Sequence, residues 1–127
     1  MRSDQDQDPV THEIIAGAIE VHRALGPGLL ESIYEECLAI ELSDRGLAVR
    51  RQLAVPVVFK GRTLECAHRV DLLVNDSVVL EVKTVDRIIG VHEAQLLTYM
   101  KLLRKGTGLI LNFHSEVMRD GIKRRVL

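Results

Sequence analysis

The hydrophobic periods along this 127-residue chain predict a mixed α/β (α+β) domain in the order α-α-β-β-β-α-β-(β). Three observations carry that reading. Apolar residues recur at helical spacing over residues 9–25, 29–44 and 88–104. Between and after these helices, short Val- and Leu-rich runs are bounded by turn residues. The last strong run, Gly108-Leu-Ile-Leu-Asn-Phe113, is a compact, mostly apolar run, as expected of a strand covered on both faces. An antiparallel meander followed by a helix and an inner strand makes a mixed sheet with helices on its faces.

The elements follow in order. Residues 1–8 are polar and expected to be disordered, which leaves 9–127 as a single domain. Asp8-Pro9 reads as N-cap and first helical residue. Ile14, Ile15, Ala18, Val21 and Leu25 form the apolar stripe of the first helix, which Gly26-Pro27-Gly28 stops. Leu30, Ile33, Tyr34, Cys37, Leu38 and Leu42 carry the second, with Gly46 suited to its C-terminal end. Val49 to Phe59 reads as one or two strands, with Pro56 implying an edge or a bulge. Lys60-Gly61-Arg62 is a tight turn into a strand over 63–74, and the third strand runs over 78–84. The third helix places Ile88, Ile89, Val91, Leu96, Leu97, Met100 and Leu103 on its apolar side and ends at Gly106. A final strand is expected near 121–126.

The chemistry concentrates in Arg69-Val-Asp-Leu-Leu-Val-Asn-Asp-Ser-Val-Val-Leu-Glu-Val-Lys83, two strand-forming runs joined by a polar turn. Val70, Leu72 and Val74 with Val78, Leu80 and Val82 make one apolar face. Leu73 and Val79 show that the other face is partly covered too. Ionised groups on such strands are costly unless compensated. A three-residue loop Asn75-Asp76-Ser77 sets Val74 opposite Val78, Asp71 opposite Glu81 and Arg69 opposite Lys83. Two opposed carboxylates beside an ammonium suggest a divalent-cation site suited to phosphodiester chemistry. A two-residue Asn75-Asp76 turn is the alternative, and it sends the carboxylates to opposite faces. The blander reading makes Glu81 and Lys83 ordinary charges on a one-sided sheet.

Other candidates are weaker singly. Glu31 is explained fully as the third helical residue reaching back to a cap at Gly28. Tyr34, one turn on, reads first as core. His92, Gln95 and Tyr99 form a polar stripe on the third helix, either solvated or facing the site. The five histidines have no zinc-hydrolase spacing, and neither a serine-hydrolase elbow nor a phosphate-binding loop occurs. A net charge of −1 gives no global basic field, so any nucleic-acid contact must be local, for instance through Lys101, Arg104, Lys105 and Lys123-Arg124-Arg125. Cys37 and Cys66 lack metal spacing and are expected as buried free thiols. No leader is visible, and no apolar run approaches the ~20 residues that cross a membrane. A cytoplasmic protein without membrane contact is expected.

Leu25-Gly-Pro-Gly-Leu-Leu-Glu-Ser-Ile-Tyr34 resembles the G-x-x-E-x-x-Y signature of a bacterial family placed in the PD-(D/E)XK nuclease superfamily, with Gly28, Glu31 and Tyr34 at the signature positions. The preceding Val21-His22-Arg23 looks like the same family's pattern. Asp71 with Glu81-Val82-Lys83 is similar to the D…E-x-K core, and Gln95-Leu-Leu-Thr-Tyr99 to the Q-x-x-x-Y motif of exonucleases in that superfamily. Arg69-Val70 stands where a proline often precedes the aspartate. The resemblance implies a restriction-endonuclease-like, three-layer α/β/α core acting as a Mg²⁺- or Mn²⁺-dependent nuclease on DNA, or less expectedly RNA. It implies Asp71, Glu81 and the Val82 carbonyl as metal ligands, Glu31 approaching from its helix, and Lys83 acting on water or phosphate. Gln95, Tyr99, His22 and Tyr34 would support the site or contact nucleic acid. A homodimer, a partner helicase or a catalytically inactive binding protein of the same fold is compatible with it.

Overall fold

The computed structural model describes residues 8–64 and 68–127. The N-terminal residues expected to be disordered, save Asp8, lie outside the described residues, as does Cys66; Cys37 is a half-buried free thiol. Helix α1 (Pro9–Leu25) starts where Asp8 accepts from the Val10 and Thr11 N–H groups at 3.0 and 3.4 Å, with Pro9 in the first turn, where no N–H is missed. Helix α2 (Glu31–Asp44) follows after the Gly26-Pro27-Gly28 break, and Gly46 takes φ +87 just past its end.

Strands β1 (Val49–Ala54), β4 (Arg69–Val74), β5 (Val78–Lys83), β6 (Thr107–Asn112) and β7 (Ile122–Val126) form one sheet in the order β1-β4-β5-β6-β7. Only β5 and β6 are parallel, joined through helix α3 (Gly90–Leu103). The meander, the crossover helix and the inner strand are as expected. The expected 63–74 strand is broken: β2 (Val58–Phe59) and β3 (Arg62–Thr63) form a separate small hairpin, inserted between β1 and β4.

Two cores flank the sheet. On one face α1 and α2 bury Ile14, Ala18, Leu38 and Leu42 against Leu72, Val74, Leu80, Val82 and Leu109. On the other, Leu96, Tyr99 and Met100 of α3 pack on Leu73, Val79 and Ile110. Most of the expected stripe faces this core, with Ile88, Leu97 and Leu103 packed against it, but Ile89 and Val91 are exposed while Tyr99 is buried. It ends at Arg104 in the left-handed region (φ +58) rather than at Gly106. Val70, expected beside Leu72 and Val74, packs in the α3 core instead, together with its β1 partner Leu53. The strand pair turns over between them, where Gln52 takes φ +50, a conformation that rotates the chain and is uncommon for a non-glycine residue.

Candidate functional site

The hairpin turn decides the site, and it combines both expected forms. Asn75 and Asp76 lie in the left-handed region (φ +52 and +51), and the Ser77 N–H donates to the Val74 carbonyl at 3.0 Å, as in a tight two-residue turn. Ser77 is then an extra residue, so Val74 pairs with Val78, Leu73 with Val79 and Leu72 with Leu80. Beyond Leu72 the ladder gives way to side chains. The Val82 N–H donates to Asp71 Oδ2 at 2.7 Å. Arg69 is not matched to Lys83; it pairs with Ala54 and donates to the Gln52 carbonyl at 2.9 Å.

The register brings the Asp71 and Glu81 carboxyls within hydrogen-bonding reach of each other. Glu81 is buried at 6 % exposure, and its Oε1 has no hydrogen-bond partner among the described residues. Burial first, then the Asp71 charge, pushes its carboxyl up to about 9, while Lys83 opposes the rise. Half-buried Lys83 ends β5. Glu31 is the first residue of α2, not the third, and Leu30 caps without a side-chain bond, so the capping explanation for Glu31 does not hold. Its carboxyl is raised by burial, lowered by the Lys83 ammonium and raised again by Asp71, which places it in the field of the same cluster.

Sequence reasoning missed Glu35 and Gln52. Glu35, one helical turn after Glu31, is buried and accepts from Arg51 Nη2 at 3.0 Å and Gln52 Nε2 at 2.7 Å. It lies within hydrogen-bonding reach of Asp71, and burial raises its carboxyl. Gln52 Nε2 also reaches Asp71 Oδ1 at 3.3 Å. One amide therefore bridges a carboxylate from each of two elements, at the residue whose backbone is left-handed. The i,i+4 spacing of Glu31 and Glu35 was a readable signal; nothing in the sequence marks Gln52.

From the other face, Tyr99 reaches toward the same carboxylates. Its hydroxyl is raised by burial and by the Glu81 charge, and lowered by a hydrogen bond with Gln95. A family model for the PD-(D/E)XK nuclease superfamily matches residues 8–125, nearly the whole chain. The chain belongs to the PD-(D/E)XK nuclease superfamily. No curated protein matches it, and neither does any solved structure. The three helices and mixed five-stranded sheet among the described residues are consistent with the restriction-endonuclease-like fold of that superfamily.

Nucleases of this superfamily generally use divalent metals. In this member, two carboxyls in contact, one buried oxygen without a partner and a set of hard oxygen donors fit such an ion. Among the described residues no group of three or more His, Cys, Asp or Glu side chains stands ready to hold one. Glu31 thus lies near the pair without closing a third ligand position. No described helix is long and apolar enough to cross a membrane.

Tyr34 and His22 serve the scaffold around this carboxylate cluster. Tyr34 is fully buried and stacks on Phe113 with ring centroids 4.7 Å apart. Its hydroxyl donates to the Gly26 carbonyl at 2.5 Å and accepts from the Leu29 N–H at 3.1 Å, which ties down the loop that leads into Glu31. A Tyr34 buried this way does not touch nucleic acid. His22 Nε2 bonds the Ser115 carbonyl at 2.7 Å. Asn112, beside Lys83 across β5–β6, spends its side chain on Val85, accepting from N–H at 3.0 Å and donating to C=O at 2.8 Å, and so fixes the chain that leaves Lys83.

Proposed function

We propose that this protein is a Mg²⁺- or Mn²⁺-dependent nuclease that hydrolyses phosphodiester bonds, DNA before RNA, by direct attack of water. The reading rests on the contact between Asp71 and the buried Glu81, whose unpartnered oxygen calls for a cation in place of a proton. Asp71, Glu81 and the Val82 carbonyl would hold the ion, with Glu31 joining from α2 directly or through water. When bound, the ion supplies a Lewis acid that neutralises phosphate charge and acidifies water.

The remaining steps belong to the chain. Lys83 orients the attacking water, takes up its proton or neutralises charge developing on the phosphate. Gln95 holds the Tyr99 hydroxyl, and the two position Lys83 or the nucleic-acid backbone. Gln52 and Arg51 fix Glu35, and Gln52 fixes Asp71. The Gly28, Glu31 and Tyr34 positions support a place in the G-x-x-E-x-x-Y group, acting in the cytoplasm alone, as a homodimer or beside a helicase.

Cleavage of single- and double-stranded DNA by the purified protein with Mn²⁺ is expected, and Lys83→Ala and Asp71→Asn should each abolish it with the fold intact. Activity that survives both substitutions refutes the site. The net charge of −1, which gives no global basic field, favours a second reading, a nucleic-acid- or protein-binding member that does not cut. Calorimetric titration separates them: no Mg²⁺ or Mn²⁺ binding in the millimolar range favours the second.

A further inference from the structure

The β2–β3 hairpin is an arm that the core does not use. Val58 is 59 % exposed, Phe59 64 % and Leu64 47 %. The chain has no Trp, two Tyr and two Phe, and the other three aromatic rings, Tyr34, Tyr99 and Phe113, are buried. A core-seeking sequence would not place its one remaining aromatic ring in solvent on a two-stranded ribbon, which is marginal by itself. The arm is nonetheless well formed. Phe59 pairs with Arg62 across a Lys60-Gly61 turn whose φ values, +50 and +77, suit the right-handed twist of a hairpin.

Its base is anchored beside the proposed site. The Val55 N–H donates to the His68 carbonyl at 2.7 Å, and the Leu64 N–H to Val57 at 2.9 Å. The His68 ring lies 6.0 Å from that of Tyr99. Ala54 and Arg69, where the chain leaves and rejoins the sheet, pair with each other, and the antiparallel β4–β5 arrangement puts that end of the sheet at the Lys83 end of β5. From Leu47 to Leu64 the sequence carries Arg50, Arg51, Lys60 and Arg62 and no carboxylate, in a chain whose net charge is −1. Lys60 Nζ sits 5.4 Å from the Phe59 ring centroid.

We infer that this arm grips single-stranded nucleic acid at the mouth of the site, with Phe59 stacking on an unpaired base and Lys60 and Arg62 meeting the flanking phosphates. The inference rests on the nuclease reading for its choice of polyanion. An exposed ring framed by cations is the arrangement by which sequence-tolerant single-strand binders work, and a base already stacked in a duplex offers no face to it.

The test uses the full chain in chelator, so that binding is read without cleavage. Fluorescence anisotropy compares a labelled oligo-dT strand with a matched duplex. Phe59→Ala is expected to weaken single-strand binding about tenfold or more and to leave duplex binding little changed. Phe59→Trp introduces the only tryptophan of the chain; this variant should keep the affinity, and its indole fluorescence should be quenched as strand is added. Lys60→Gln with Arg62→Gln should lower the slope of log affinity against log salt by about 1.4, roughly 0.7 for each lost phosphate contact.

Unchanged binding by Phe59→Ala, an unquenched indole signal from Phe59→Trp, or equal affinity for duplex overturns the inference. So does binding to phosphatidylserine vesicles with none to the oligonucleotide. A parallel Mn²⁺ cleavage assay separates the two readings. If the wild type cuts while Phe59→Ala binds and cuts as well as it does, the grip falls and the nuclease stands. If nothing cuts but binding depends on Phe59, the reverse holds.

Discussion

At pH 7 and above, Glu81→Gln should stabilise the metal-free protein, by an amount that grows with pH. The wild-type carboxyl is ordinarily near 4.5 but is pushed up to about 9 by burial and the Asp71 charge. The folded state therefore holds a proton between those values that the unfolded chain releases, so stability is full below pH 4.5 and is lost as pH rises toward 9. Keeping such a carboxyl neutral at pH 7 costs about 3 kcal/mol. Glutamine matches its shape and does not ionise, but brings its own buried amide, so a net gain of about 1–2 kcal/mol is expected. For a domain of this size that raises Tm by roughly 3–8 °C. Thermal unfolding in chelator at pH 5, 7 and 8.5 reads it: the variant should be slightly the less stable at pH 5, where the amide cost outweighs the small carboxyl cost, and increasingly the more stable at pH 7 and 8.5. Added Mn²⁺ should then stabilise the wild type and not Glu81→Gln. If the variant is no more stable than wild type at pH 8.5, or gains as much from Mn²⁺, the picture of a proton standing in for a cation at Glu81 is wrong.

Gln52→Gly suits the left-handed backbone but deletes the amide between Glu35 and Asp71. Steady-state cleavage should fall about 10–100-fold, with the unfolding transition little changed. Tyr34→Phe removes two hydrogen bonds from the Gly26–Leu29 loop, and urea denaturation should show a loss of about 1–2 kcal/mol. Gly121→Ala would drive a methyl group into the Asn112 carbonyl oxygen and the Ser115 side chain. Backbone cannot give way as a flexible side chain can, so a loss of about 2 kcal/mol or more is expected by the same measurement.

Most of the fold was legible because its signals are local. The Asp8-Pro9 start, the Gly26-Pro27-Gly28 break and the apolar inner strand each depend on a few neighbouring residues. The register was legible too, although the tight Asn75-Asp76 turn alone pointed to a different one; only the extra Ser77 reconciles them. What stayed hidden is tertiary. A left-handed Gln52 carries no mark in the sequence, so the turnover that sends Leu53 and Val70 to the α3 core was not foreseen. Tyr99 read as one of a polar stripe, yet packing of α3 buries it. Glu35 drew no reading from the sequence, because its partners Arg51 and Gln52 reach it only where α2 meets β1.

These hidden features share one place in the fold. The left-handed Gln52, the buried Glu35, the unpartnered oxygen of Glu81 and the raised carboxyls at Glu31, Glu35 and Glu81 all gather where β1, β4 and β5 end under α2 and α3. Each is unfavourable for folding, and none is needed to close the sheet, whose two cores are filled by aliphatic residues. The turnover itself has a consequence for the site: because the strand pair rotates at Gln52, Asp71 can be reached by Glu35 from the α2 side and by Glu81 and Tyr99 from the α3 side. A flat pair would show Asp71 to one face only. Strain at one residue thus lets carboxylates from both layers meet, and such a concentration of cost is better explained by a selected site than by the scaffold.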